Sequence, residues 1–177
     1  AWMSVNHPEL SPKGMGIYIL DDIAGNGAAV NPDEGFVYVT YSVAALDGKY
    51  SDTNDAELKK QLGTYSATDY NGPVVWGTGE NVMRAGIADL MDGMRIGGTR
   101  TAIVPNWLMT FSRYDTEAKY LAQSTSLSHA IYTVTVVDQF EDAIQWQIDS
   151  IERYTHKYMG GVASLCTGFY YQKLNYY

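Results

Sequence analysis

Residues 36–43 run Phe36, Val37, Tyr38, Val39, Thr40, Tyr41, Ser42 and Val43, β-branched and aromatic almost throughout and free of Gly and Pro. No other segment commits so strongly to a strand. A strand of this kind needs partners. The spacing predicts them at 14–20, 74–76, 99–104 and 131–137, with Pro105 ending the third because proline has no N–H to donate. Leu46, Asp47, Gly48 and Lys49 read as a two-residue hairpin turn. Helices are expected at 55–63, from a cap at Asn81 to about Met91, and over 115–123. Strands in succession around one middle helix give an α+β domain.

Organisation follows from the flanks. Residues 1–13, with Pro8 and Pro12, read as a linker or tether. Residues 14–138 form the domain, and 106–128 is a long excursion within it. Residues 139–160 carry Phe140, Ile144, Ile148, Ile151 and Tyr158 at helical spacing, a long amphipathic helix. Residues 161–177 are a linker and a strand. Gly168 to Leu174 echoes Gly14 to Leu20, either as the start of a second copy of the domain or as one more Tyr-bearing strand.

Composition removes several function classes. Lys and Arg number 12 against 20 Asp and Glu, a net charge of -8, which argues against nucleic-acid binding. An apolar share of 46% excludes disorder for the chain as a whole. No apolar run approaches the roughly 20 residues of a membrane helix. A single cysteine, Cys166, excludes an intrachain disulfide. Tyr is abundant at 15 residues, and a Tyr-rich, Lys-poor, acidic surface suits an exported protein. The first eight residues have neither the basic nor the apolar region of a signal peptide.

Reactive groups are sparse. His7, His129 and His156 have no metal-ligand spacing and read as solvated. Gly25–27 and Gly77–79 fall outside the strand–helix context of a nucleotide loop. The acidic run 52–57 lacks the central Gly and distant Glu of a calcium loop and reads as helix capping. Cys166 has no His partner and reads as inert.

The order of the segments carries more. A strand ends in Tyr41, Asp47-Gly48 follows, then Asp52. Val82-Met83-Arg84-Ala85-Gly86-Ile87 comes next, then Gly93-Met94-Arg95-Ile96-Gly97-Gly98-Thr99-Arg100, then Ile103-Val104-Pro105. Over 14 to about 138 this resembles the FKBP family of peptidyl-prolyl cis-trans isomerases. The resemblance implies an FKBP-like antiparallel sheet wrapped around one short helix near 82–91.

It also implies a site. Tyr41 matches the wall Tyr of the family's pocket, Asp52 its Asp, and Tyr132 the aromatic of the last strand. Val74 falls where the family has a pocket Phe. Met83 and Arg84 fall at a pair whose second backbone N–H binds a substrate carbonyl. Three aromatics are replaced: Ser51 stands before the Asp, Ile87 forms the floor, and Thr110 takes a loop Tyr position. Trp107 and Phe111 are expected to refill the bowl from that loop.

The implied activity is prolyl isomerisation of proline-containing segments of other proteins, without cofactor or metal. The implied setting is the periplasm or cell envelope, with a lipid tether upstream of residue 1 as one way of holding the protein there. The alternatives are a binding or chaperone module that keeps the fold without catalysis, and a structural repeat of a surface protein.

Overall fold

A computed structural model describes residues 2–122, 128–160, 163–166 and 169–171. Residues 1–139 and 140–177 form two compact units.

The first unit opens with α1 (Trp2–Asn6), so the expected linker contains a helical turn. The Asn6 side chain donates to the Trp2 carbonyl at 2.9 Å, and His7 N–H bonds to the Met3 carbonyl at 2.8 Å. Pro8 follows, where the ladder has no further donor. β1 (Tyr18–Ile23) lies later than expected. Lys13 and Ile17 close a tight loop on each other, with Gly14 and Gly16 at positive φ, and that loop displaces the strand. Asp21 and Asp22 extend it, since an edge strand leaves side chains in water.

β2 (Phe36–Ala45) and β3 (Tyr50–Thr53) form the expected hairpin, but three residues, 46–48, lie between the bonded pair Ala45 and Lys49. Gly48 N–H bonds to the Ala45 carbonyl, and Ala45 N–H to the Lys49 carbonyl. Gly48 takes φ 86°, the left-handed position that ends such a loop. α2 (Ala56–Leu62) is capped by Asp55, whose side chain accepts from Leu58 N–H, and is stopped by Gly63 at φ 69°. β4 (Val74–Gly77) pairs back onto β2.

α3 (Ala85–Met91) begins four residues after the expected cap. Asn81 has φ 62°, which no helix accommodates. β5 (Thr99–Val104) leads through Pro105 into a 3₁₀ turn at Asn106–Leu108 and then α4 (Glu117–Ala122). The last strand of the sheet is β6 (Ala130–Phe140). The six-stranded sheet has the order β1-β5-β6-β2-β3, with β4 also on β2. This is the α+β architecture expected, with β5 antiparallel to both β1 and β6.

α3 is apolar nearly all round, and every residue in it except Asp89 is buried. It packs under the sheet with Ile17, Val37, Val39, Val104, Leu108, Val134 and Val136. Gly86 sets the approach, because a Cβ there would stand 2.5 Å from Val104 Cγ1. Met91 and Met94 are buried in the same core.

In the second unit α5 (Ala143–Met159) starts on an Asp142 cap and ends at Gly160 with φ 63°. Phe140 belongs to the end of β6 rather than to the expected helix. It stacks on Trp146, with centroids 4.5 Å apart. β7 (Ala163–Cys166) and β8 (Phe169–Tyr171) pair antiparallel. Of the suggested second copy, Gly168 and residues 172–177 lie outside the described residues, as does 123–127 of the excursion.

Candidate functional site

Alternation along β2 turns Val37, Val39 and Tyr41 toward α3. Val37 and Val39 are sealed in the core, and Tyr41 emerges where the core opens. Two neighbours fix it. Asn54, buried just after β3, accepts from Tyr41 N–H at 2.7 Å and donates to the Val39 carbonyl at 2.9 Å. Thr53 Oγ1 donates to the Tyr41 carbonyl at 2.8 Å. The β2–β3 register places Asp52 opposite Val43, and Tyr41 Oη donates to Asp52 Oδ2 at 2.8 Å.

A cavity of about 430 Å³ opens beside this pair. Ile87, in the first turn of α3, contributes to its apolar wall, and Tyr132 borders it from β6. Met83, Arg84, Met109 and Phe111 border it from the two loops that meet at the start of α3. Those loops are tied together: Ala85 N–H bonds to the Thr110 carbonyl at 2.8 Å, and Arg84 Nη1 donates to the Met109 carbonyl at 2.8 Å. The Arg84 guanidinium also lies over the Phe111 ring, 5.2 Å from its centroid. Arg84 N–H has no hydrogen-bond partner among the described residues.

Burial, with the Asp52 hydrogen bond behind it, pushes the Tyr41 hydroxyl up to about 12. Burial raises Tyr132 as well, opposed by the positive charge of Arg84 and reinforced by the negative charge of Asp52. Both phenols are therefore neutral hydrogen-bonding groups at physiological pH. The wall combines apolar surface, neutral hydroxyls and one charge of each sign. Such a surface strips water from an amide and offers donors to carbonyl oxygens.

Seven of the residues singled out in the sequence meet here: Tyr41, Asp52, Met83, Arg84, Ile87, Phe111 and Tyr132. Four do not. Ser51 bonds through Oγ to the Val43 carbonyl and opens onto a separate groove between β3 and α2, since neighbours on a strand face opposite ways. Val74 pairs with Val39 and packs on the core. Trp107 is drawn away by its Nε1 bond to the Met15 carbonyl at 3.3 Å and its edge contact with His129. Thr110 is held within its own loop, donating from Oγ1 to the Ser112 carbonyl at 3.0 Å.

The aromatic that sequence reasoning missed is Trp76. It borders the cavity from β4, 5.1 Å from the Tyr41 ring. The available signal was its place two residues beyond Val74, on the same face of the strand. Among the described residues no group of three His, Cys, Asp or Glu could hold a metal ion. No helix among them is long and apolar enough to cross a membrane.

No protein-family model and no curated protein matches the chain. Solved structures do. A peptidyl-prolyl cis-trans isomerase from Pseudomonas syringae pv. tomato is similar with TM-score 0.50 at 14% identity, over 77% of this chain and 86% of that one. FkpA from Escherichia coli gives TM-score 0.48 at 16% identity, over 76% of this chain and 53% of FkpA, so the chain spans about half its length. The N-terminal domain of FKBP42 from Arabidopsis thaliana gives 0.44 at 13%, over 74% and 93%.

Proposed function

We propose that this chain, whose fold is FKBP-like, is a peptidyl-prolyl cis-trans isomerase acting on proline-containing segments of other proteins. The observation that carries the reading is the open cavity in which Tyr41, Asp52, Ile87 and Tyr132 converge. An amide resists rotation by roughly 18–20 kcal/mol because resonance keeps it planar. At the twisted transition state that resonance is gone. A surface that desolvates the bond and fits the twisted form lowers the barrier without a nucleophile or a metal.

Each group then has a task. Ile87 receives the proline ring, with Tyr132 and Trp76 as further apolar surface. The Arg84 N–H donates to a substrate carbonyl. Asp52 holds the Tyr41 hydroxyl in place and borders the amide. Trp76 and Phe111 offset part of the aromatic surface absent at Ser51, Ile87 and Thr110. The Tyr-rich, Lys-poor composition supports an exported protein of the cell envelope, working on its neighbours there.

The test is a prolyl isomerisation assay on short peptides that vary in the residue before proline, with the Asp52→Ala, Tyr132→Ala double variant alongside. Acceleration by the wild type that falls at least about tenfold in the variant is expected from the loss of two positioned groups. No acceleration at high protein concentration sinks the isomerase reading and leaves the fold as a binding module.

A further inference from the structure

Arg84 is the only basic residue bordering the cavity among the described residues. Its two contacts, the Met109 carbonyl and the Phe111 ring, are uncharged. The other arginines of the same unit with ion pairs engage carboxylates directly: Arg100 with Asp22 at 2.8 Å and Arg113 with Asp89 at 2.6 Å. Among the described residues no carboxylate comes within 4.0 Å of the Arg84 guanidinium. Lys49, Lys59 and Arg95 of the same unit likewise have no ion pair among the described residues, but none of them borders the cavity, so Arg84 is distinguished by its position.

We infer that Arg84 makes this site selective for an acidic side chain next to the proline. The inference rests on the reading of the cavity as a prolyl site. Arg84 and Ile87 are three positions apart at the start of α3, and both border the cavity. A chain advances about 3.5 Å per residue, so a proline on Ile87 puts its neighbour within reach of the guanidinium. That group has five N–H donors in a planar fork, and a carboxylate matches two of them at once. The Met109 carbonyl and the Phe111 ring hold the fork in advance, which limits the side-chain entropy lost on binding. Asp52 carries the opposing charge on another wall, and it repels an acidic group from that side. The two charges together therefore orient the substrate as well as select it.

Two peptide series test this, one varying the residue before proline and one the residue after it, each with Glu, Gln or Lys. Isomerisation is followed by rate and binding by calorimetry, at low and high salt. The wild type is expected to favour Glu over Gln about 3- to 10-fold at one flank, less at high salt, with Lys weakest. The Glu-to-Gln ratio falls to about 1 in Arg84→Gln, persists in Arg84→Lys, and inverts toward Lys in Arg84→Glu. Because the ratio is internal to each variant, a general loss of activity does not mimic it.

An unchanged ratio in Arg84→Gln, with peptides still isomerised, overturns the inference and leaves the isomerase reading standing. Glu-selective, Arg84-dependent binding without any acceleration does the reverse. Neither binding nor acceleration by a folded wild type overturns both.

Discussion

Asn54 shows how one buried polar side chain can hold a site it does not touch. Its amide bridges Tyr41 N–H and the Val39 carbonyl, so Tyr41 leaves the sheet at a fixed angle. Asn54→Leu removes both partners from buried backbone. A loss of about 2–4 kcal/mol is expected in denaturant unfolding, more than for an exposed Asn. Tyr41 gives a second residue-scale expectation. Its hydroxyl titrates near 12 in the folded chain and near 10 in an unfolded one. The folded state thus holds its proton more tightly, and stability falls as pH rises from about 10 to about 12. Tyr41→Phe should flatten that decline, read as unfolding midpoint against pH. Asp52→Asn should lower the Tyr41 titration only partway, followed by phenolate absorbance, because burial is the larger cause.

At the scale of elements, α3 is secured at both ends by other parts of the chain. Its N-terminus is tied to the loop at 109–110. At its C-terminus, Arg100 reaches in from β5 and donates from Nη1 to the Leu90 carbonyl at 2.8 Å and the Asp92 carbonyl at 2.7 Å. Arg100→Leu should destabilise by about 3 kcal/mol, since helix-end carbonyls and Asp22 lose a charged partner. Gly86→Ala should also destabilise, by about 1–3 kcal/mol, although alanine favours helices, because its methyl meets Val104. Thermal unfolding checks both.

The elements were legible to unequal degrees. β2, β5 and β6 announce themselves by β-branched and aromatic runs and α5 by its helical spacing, and Asp47-Gly48 marks the hairpin that brings Asp52 to Tyr41. The start of α3 was hidden because Asn81 resembles a cap until its φ is known. Trp107 was misplaced because a loop aromatic follows whatever partner it finds, here the Met15 carbonyl and His129. Asn54 left no mark, since an Asn between a strand and a helix reads as ordinary loop.

On the scale of the whole molecule, the buried core among the described residues lies between Ile17 and Val136. The end of β6 is clasped within the first unit: Gln139 accepts from Asn31 N–H at 2.9 Å and donates to the Asn31 carbonyl at 2.6 Å. A chain cut after Gln139 should therefore keep the cooperative unfolding of that unit and its cavity, checked by calorimetry and limited proteolysis. Strand order also governs what a growing chain can do on the ribosome. β3 and β4 follow β2 closely and pair with it at once, so a small local sheet is available early. The other edge of β2 waits for β6, and β1 waits for β5. Until residues 130–140 are made, the most strand-committed segment of the protein carries an open edge in a half-finished chain, the species in which unpaired strands find wrong partners.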